Sequence, residues 1–424
     1  MRRVHRLVGW GVIVVSGWGA SVLAGCLGED PELSPPPAGT NADAGPPVVQ
    51  PDSSAPGTDT GDACPAGQQR CDEKCVSTST DRDHCGACGH DCAGGDCKDG
   101  VCQPVLIAPS VHLPLGVTAA GNAVFWTRED SDTSVVESCP KTGCVPPIKE
   151  IATSAGRAFT ADVPTGATIL TNGVYVHWMG KSPEPGVDNN VVYTCSVTGC
   201  DGKSPDYVAA PSSVWQIGRT GGTLYFRTDA GLLSFCPFGT CTNANVKRAA
   251  TGDNGSIGVA VSTDRVFFDD AFDGSVSSCP VGAENCTRAA PYFKTAGKLN
   301  FLATAGTKIV AAVTNGGTTS ILACEAGGGA TCAGQPTPLA SNLSPVSAIV
   351  GDADSVYFAL RGAIGSATGE IRRCKLPDCA GGPKPVVTNL GYPSSLWLDD
   401  GVLFWAARGT PPVPSSGSIG KVRP

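Results

Sequence analysis

The chain of 424 residues carries 21 cysteines, and their spacing is the first chemistry it offers. Cysteine at this density serves disulfides, metal thiolates or redox exchange, and the compartment decides among them. Eight lie close together: Cys64, Cys71, Cys75, Cys85, Cys88, Cys92, Cys97 and Cys102. Twelve more fall in six pairs: Cys139 with Cys144, Cys195 with Cys200, Cys236 with Cys241, Cys279 with Cys286, Cys324 with Cys332, and Cys374 with Cys379. Four of these pairs have four intervening residues, and the others have six and seven. Facing residues of a β-hairpin lie at disulfide distance, so the spacing predicts six hairpin clips. Cys26 is left over. Cys85-x-x-Cys88, flanked by His84 and His90, has the residue types of a zinc site. Eight cysteines in an exported chain pair off instead as four disulfides, with roughly a hundred pairings open, and no metal is expected.

No catalytic constellation accompanies the cysteines. Beyond the leader the histidines are His84, His90, His112 and His177, and only His177 falls inside a repeated unit. No Gly-x-Ser-x-Gly, Walker or dinucleotide-binding glycine pattern is present. Asp130-Ser131-Asp132 and Asp269-Asp270 with Asp273 match no calcium-loop template and read as solvated turns. The expectation is a non-enzymatic chain without a cofactor. A net charge of -8 excludes an electrostatic footprint for nucleic acid.

The N-terminus settles the compartment. Arg2, Arg3 and Arg6 precede an apolar run over residues 7–22, too short for a comfortable membrane span. Leu23-Ala24-Gly25-Cys26 then resembles the bacterial lipobox. The resemblance implies a leader over residues 1–25 and a diacylated Cys26 that holds the mature chain to the membrane. Leu27 follows in place of the aspartate that retains lipoproteins at the inner membrane. The expected location is therefore the outer membrane, facing the periplasm or the cell surface. Residues 26–62 are rich in Pro, Gly, Ser and Asp and poor in aliphatics, so a disordered tether is expected there.

Residues 63–103 are too few for a hydrophobic core and need covalent staples. The run Asp83-His84-Cys85-Gly86-Ala87-Cys88-Gly89-His90-Asp91-Cys92 resembles the core of the cysteine-rich repeat of plant stigma-specific secreted proteins. Similar repeats occur in bacterial surface lipoproteins. The resemblance implies an extracellular module, not a reaction.

The elements that must position everything else lie in residues 104–424. Gly (55) and Pro (34) are abundant and charged residues are only 16%, which suits a turn-rich all-β protein. A strand with an aromatic or apolar centre recurs at Phe125, Tyr175, Tyr225, Phe267, Val310, Tyr357 and Phe404, spaced 50, 50, 42, 43, 47 and 47 apart. A tight turn precedes each, for example Asn172-Gly173 and Asp400-Gly401. A third strand follows and ends in Cys, except in the seventh copy. That copy also lacks a fourth strand, while Pro104-Val105-Leu106-Ile107 upstream matches the fourth-strand segment Pro385-Val386-Val387. The pattern predicts a seven-bladed β-propeller closed by pairing the N-terminal strand with the C-terminal one, which removes an exposed sheet edge. It resembles YWTD-type and related bacterial propellers, without their signature tetrapeptides, so the resemblance implies architecture alone.

On such a scaffold the long loops carry function. Second-to-third-strand loops over residues 180–190, 361–369 and 408–417 are long, and the link over residues 156–167 opens on the same face. They belong to units 2, 6 and 7, with Arg128-Glu129-Asp130 of unit 1 between them. The expected binding face therefore carries Arg128, Lys181, Arg361 and Arg408, and takes a protein or glycan partner. The competing expectations are a lyase- or lactonase-type enzyme in the propeller channel, and a purely structural envelope component.

Overall fold

A computed structural model of the chain describes residues 64–424, except 131–132, 156–167, 186, 188, 211, 252–257, 271–273, 287–290, 327–331, 333–334, 364, 411–412 and 414–415. Cys26, the leader, the tether and the link over residues 156–167 lie outside the described residues, as do Ser131, Asp132 and Asp273. Strands are the regular elements throughout.

Seven four-stranded antiparallel sheets form the blades of a propeller. Blade 1 runs through Pro114–Ala120, Ala123–Asp130, Thr133–Pro140 and Lys149–Ala155, from the inner strand outward. Blades 2 to 6 repeat the order with inner strands Ile169–Thr171, Val214–Thr220, Val259–Val261, Lys298–Ala305 and Val346–Gly351. Blade 7 takes Pro393–Asp399, Val402–Ala407 and Gly417–Val422 from one end of the chain and its outer strand, Val105–Val111, from the other. There Gly420 faces Leu106 and Lys421 faces Val105. The ring is closed by the two chain ends.

Alternation along the second strands explains the core. Successive side chains point to opposite faces of a blade, so each second strand feeds two interfaces. Val124 and Trp126 pack with Phe404 and Ile419 between blades 7 and 1, while Phe125 packs with Val176 and Trp178 between blades 1 and 2. The same division runs round the ring, giving a hydrophobic cluster at every blade-to-blade interface. Each buried aromatic contributes about 1.5–3 kcal/mol through its area.

Inner strands crowd the axis and need small residues. A Cβ on Gly116 would stand 2.0 Å from Thr168 Oγ1, and one on Gly351 would stand 2.3 Å from the Ala305 Cβ. Side chains then tie neighbouring inner strands. The Gln216 carboxamide accepts from the Val259 amide at 2.8 Å and donates to its carbonyl at 3.2 Å. At the seam between blades 7 and 1, Ser394 Oγ donates to the Pro114 carbonyl at 3.2 Å. Ser395 Oγ accepts from the Val117 amide at 3.2 Å, and Trp397 Nε1 donates to the Ala119 carbonyl at 3.1 Å.

All six hairpin pairs are disulfide-bonded. Cys139 bonds Cys144, Cys195 bonds Cys200, Cys236 bonds Cys241, Cys279 bonds Cys286, Cys324 bonds Cys332 and Cys374 bonds Cys379, with Cα atoms 4.9–6.0 Å apart. The two members of a pair differ in setting. The first is the penultimate residue of a third strand, as Cys195 is in Asn190–Ser196. The second, Cys144, Cys200, Cys241, Cys286, Cys332 or Cys379, lies outside the strands, in the connection to the fourth strand. Each bridge therefore ties a strand end to the loop that follows it; the two cysteines are not facing partners in the ladder, as the spacing had suggested. The reason is that the fourth strand begins several residues past the second cysteine, at Lys247 after Cys241 for example.

In the cysteine module Cys64 bonds Cys75, Cys71 bonds Cys88, Cys85 bonds Cys97 and Cys92 bonds Cys102. Its regular structure is two small ladders, Gln69–Cys71 with Lys74–Val76 and Cys97–Lys98 with Val101–Cys102.

Candidate functional site

Each of five blades ends its second strand in the same way. The residue four past the strand's centre donates its amide to the link that enters the blade. Glu129 donates to Leu113 at 3.3 Å, Met179 to Thr168 at 3.0 Å and Asp229 to Ser213 at 2.9 Å. Arg361 donates to Pro345 at 3.0 Å and Arg408 to Tyr392 at 3.0 Å. These residues therefore hold equivalent positions around the loop face, and blades 6, 7 and 1 present Arg361, Arg408 and Glu129 in succession.

The three are joined through a link residue, Tyr392. Both guanidiniums lie over its ring, Arg361 at 4.8 Å and Arg408 at 5.8 Å from the centroid. Arg408 Nη2 also reaches Glu129 Oε2 at 3.4 Å, and Glu129 is buried. His112 Nδ1 lies 2.6 Å from the Glu129 carbonyl and fixes the link on the other side of the seam. The interface between blades 7 and 1 is thus bridged on this face by an arginine–tyrosine–arginine–glutamate chain.

Of the sequence-derived residues, the structure gathers Arg361 and Arg408 on one aromatic ring. Arg128 lies one residue out of phase and is spent inside its own blade. Its Nε donates to Glu137 at 2.7 Å and its Nη1 to Asp130 at 3.2 Å. Burial alone would lower the Arg128 pKa, but these two carboxylates outweigh it and hold it above the ordinary arginine value. Trp126 Nε1 donates to the same Glu137 at 2.8 Å. Lys181 sits two residues beyond the ring position of blade 2, which Met179 occupies, and its carbonyl accepts the Tyr193 hydroxyl at 2.6 Å. Tyr392 is not singled out from the sequence, and Glu129 enters there only beside Arg128. The signal that finds Glu129 is the repeat phase, four residues after Phe125 as Arg361 follows Tyr357 and Arg408 follows Phe404.

The channel is a weaker candidate. Inner strands enclose a cavity of about 200 Å³ lined largely by apolar groups such as Leu302, Ile349 and Leu396, with Arg219 as its charged member. Among the described residues no imidazole or carboxylate lines it. The one histidine within a blade, His177, is fully buried against Phe238, with ring centroids 4.2 Å apart. Its Nε2 accepts the Gly239 amide at 3.1 Å, and burial pushes its pKa down to about 3, so it is a neutral structural group. On the opposite face an apolar groove of about 500 Å³ runs between blades 1 and 2, lined by Phe125, Pro147, Ile148 and Val197.

The family model of the stigma-specific STIG1-like proteins matches residues 49–104. The chain joins a STIG1-like cysteine-rich module to a seven-bladed β-propeller. No curated protein matches it. Solved structures similar to it include a computationally designed protein, Ika8, at 11% identity and TM-score 0.46 over 75% of this chain and 99% of that one. YCF48 bound to D1 peptide aligns at 12% identity and TM-score 0.48 over 76% and 94%. A nidogen/laminin complex aligns at 12% identity and TM-score 0.39 over 56% and 84%.

The STIG1-like module holds no thiolate for a metal. The sulfurs of Cys85, Cys92 and Cys102 lie within 4.8 Å of one another, but each is half of a disulfide. His84 Nδ1 accepts the Gly89 amide at 2.9 Å and His90 Nδ1 lies 2.6 Å from the Cys85 carbonyl, so both serve the module's own turns. The module leads directly into the outer strand of blade 7, on the side of the disulfide hairpins. Val422 faces Leu403 in the register where Cys139 faces Val124 and Cys374 faces Val356. Blade 7 thus lacks a clip of its own, and the STIG1-like module covers that end. Asp91 Oδ2 pairs with Arg423 Nη2 at 3.6 Å, and Ala93 packs into the cluster between blades 7 and 1. Lys421 lies beneath it, its pKa lowered by burial, with Asp91 opposing and Lys141 adding to the shift.

Proposed function

We propose that this chain is a non-enzymatic, lipid-anchored surface protein that binds a protein or glycan partner through the loop face of its propeller. One observation carries the reading: Arg361, Tyr392, Arg408 and Glu129 converge on the loop face across blades 6, 7 and 1. Rigid blades hold these groups at the bases of the long second-to-third-strand loops of blades 6 and 7, an arrangement by which a scaffold can present a recognition surface. The lipobox-like Leu23-Ala24-Gly25-Cys26 supports an anchor at Cys26 on the outer membrane. Residues 26–62 would then let the propeller stand off the bilayer. A channel enzyme would need acid and base groups converging on the cavity, which the apolar inner strands do not offer.

The test is photo-crosslinking in intact cells, with benzoylphenylalanine at Thr410 on the loop face or at Val145, which is 82% exposed on the opposite face. A discrete adduct from position 410 and none from 145 is the expected result. Adducts confined to position 145, or none at either, would refute the loop-face reading.

A further inference from the structure

Resting on the loop-face reading, the geometry points to Arg361 as the group that takes a carboxylate from an acidic, apolar-flanked segment of a protein partner. The other arginines at this corner of the face are neutralised within the fold. Arg128 pairs with Glu137 and Asp130, Arg408 with Glu129, and Arg372 with Glu370 at 2.7 Å. Arg361 has no carboxylate and no side-chain hydrogen bond among the described residues. Its Nε is enclosed without an acceptor, and among the described residues its side chain stacks on Tyr392. Because the Nε is enclosed while the residue as a whole is only half-buried, a partner's carboxylate would meet the terminal Nη pair. In a chain with 38 acidic residues, leaving this cation unmatched is not forced by composition. Stacking holds the planar fork in one orientation, which prepares it for two parallel hydrogen bonds to a carboxylate.

The surroundings favour a peptide over a sugar. The Tyr392 ring already carries two guanidiniums and is not offered flat to a pyranose. Two hydroxyls of the neighbouring loops are engaged by their own backbone. Ser366 Oγ donates to the Ala363 carbonyl at 2.8 Å, and Ser416 Oγ donates to the Val413 carbonyl at 2.6 Å. Among its described residues the blade 7 loop exposes Val413, at 56%. A partner with an acidic side chain among aliphatic ones suits a face that presents both an unmatched cation and an exposed valine.

The experiment is fluorescence anisotropy with the purified full chain. The probes are a labelled Leu-Glu-Val repeat peptide, its Leu-Gln-Val counterpart and labelled polygalacturonate. The acidic peptide should bind, and its glutamine counterpart should bind about tenfold or more weaker. Arg361→Gln should lose a similar factor, with Arg361→Lys between the two, while thermal unfolding curves show that both variants remain folded. Undiminished binding by folded Arg361→Gln, or a preference for polygalacturonate, would overturn the assignment. If the acidic peptide fails to bind while position 410 still crosslinks a partner, the carboxylate assignment falls and the loop-face reading stands. If the crosslink fails as well, both fall.

Discussion

Replacing Ile107 by alanine tests the ring closure at a single side chain. Ile107 and Leu106 are adjacent in the strand Val105–Val111, and both are large aliphatics. Pairing with Gly417–Val422 sends them to opposite sides. Ile107 is 3% exposed within the cluster between blades 7 and 1, whereas Leu106 is 55% exposed. Deleting a buried isoleucine side chain removes its transfer free energy and leaves a cavity among Trp126, Phe404 and Ile419, which costs about 2–5 kcal/mol. Leu106→Ala removes a side chain that is only half covered, for less than about 1 kcal/mol. The assay is equilibrium unfolding in denaturant, with disulfides kept oxidised, comparing midpoints at unchanged slope. Removing residues 1–108 should be worse still, because it strips Val105–Ala108 from the partner strand and exposes a sheet edge, while removing residues 1–103 leaves that pairing in place. Equal effects of Ile107→Ala and Leu106→Ala would mean that the strand does not pack between the blades, and the closed ring would be wrong.

Other outcomes follow from the same structure. His177 is held neutral, with its folded pKa pushed down to about 3 against 6.5 unfolded, so its stabilising contribution is complete above pH 6.5. That contribution is lost as pH falls from 6.5 toward 3, because the unfolded chain takes up the proton first. The stability gap between wild type and His177→Gln, measured by urea unfolding, should therefore shrink on acidification; a gap constant from pH 7 to pH 4 would contradict this. Removing one hairpin clip by combining Cys236→Ala with Cys241→Ala returns the closure entropy of a short loop to the unfolded chain, about 2 kcal/mol, and the propeller should still fold with a lowered unfolding midpoint. Loss of folding in that variant would show the clip to be essential. Cys26→Ser should release the chain from the membrane fraction and abolish fatty-acid labelling; unchanged retention would remove the anchor.

The repeat was legible because a blade is a local object. Seven strands with an aromatic or apolar centre, their turns and their cysteine pairs recur at short sequence separation, and period-2 alternation writes the core into each strand. Even the two-ended closure could be read, since a seventh unit without an outer strand and an orphan strand upstream leave one way to bury both edges. The partners of the six clips could be read as well, but not that Cys144, Cys200, Cys241, Cys286, Cys332 and Cys379 sit in loops, because where a fourth strand starts depends on its pairing. The pairing within the cysteine module could not be read, because eight like residues in so short a stretch carry no label. Nor could the sequence place the module over blade 7, where Val422 stands in the register of a cysteine and Asp91 meets Arg423.

The candidate site shows the same division. Long loops in units 6 and 7 pointed to Arg361 and Arg408, and the repeat phase held the information that Glu129 is their equivalent. Loop length placed Lys181 with them, and a position between the long-looped units placed Arg128 there, but a residue's phase relative to the strand centre decides whether it joins the ring of equivalent positions. Tyr392 lies in a link with no pattern of its own. Its partners come from two different blades, Arg361 at a separation of 31 residues and Arg408 at 16. Sequence determined which strands form and which side chains face the blade interfaces, since both follow from near neighbours along the chain. Which charges meet on the loop face was decided only when the ring closed, because blade 1 stands beside blade 7 through contacts made by opposite ends of the chain.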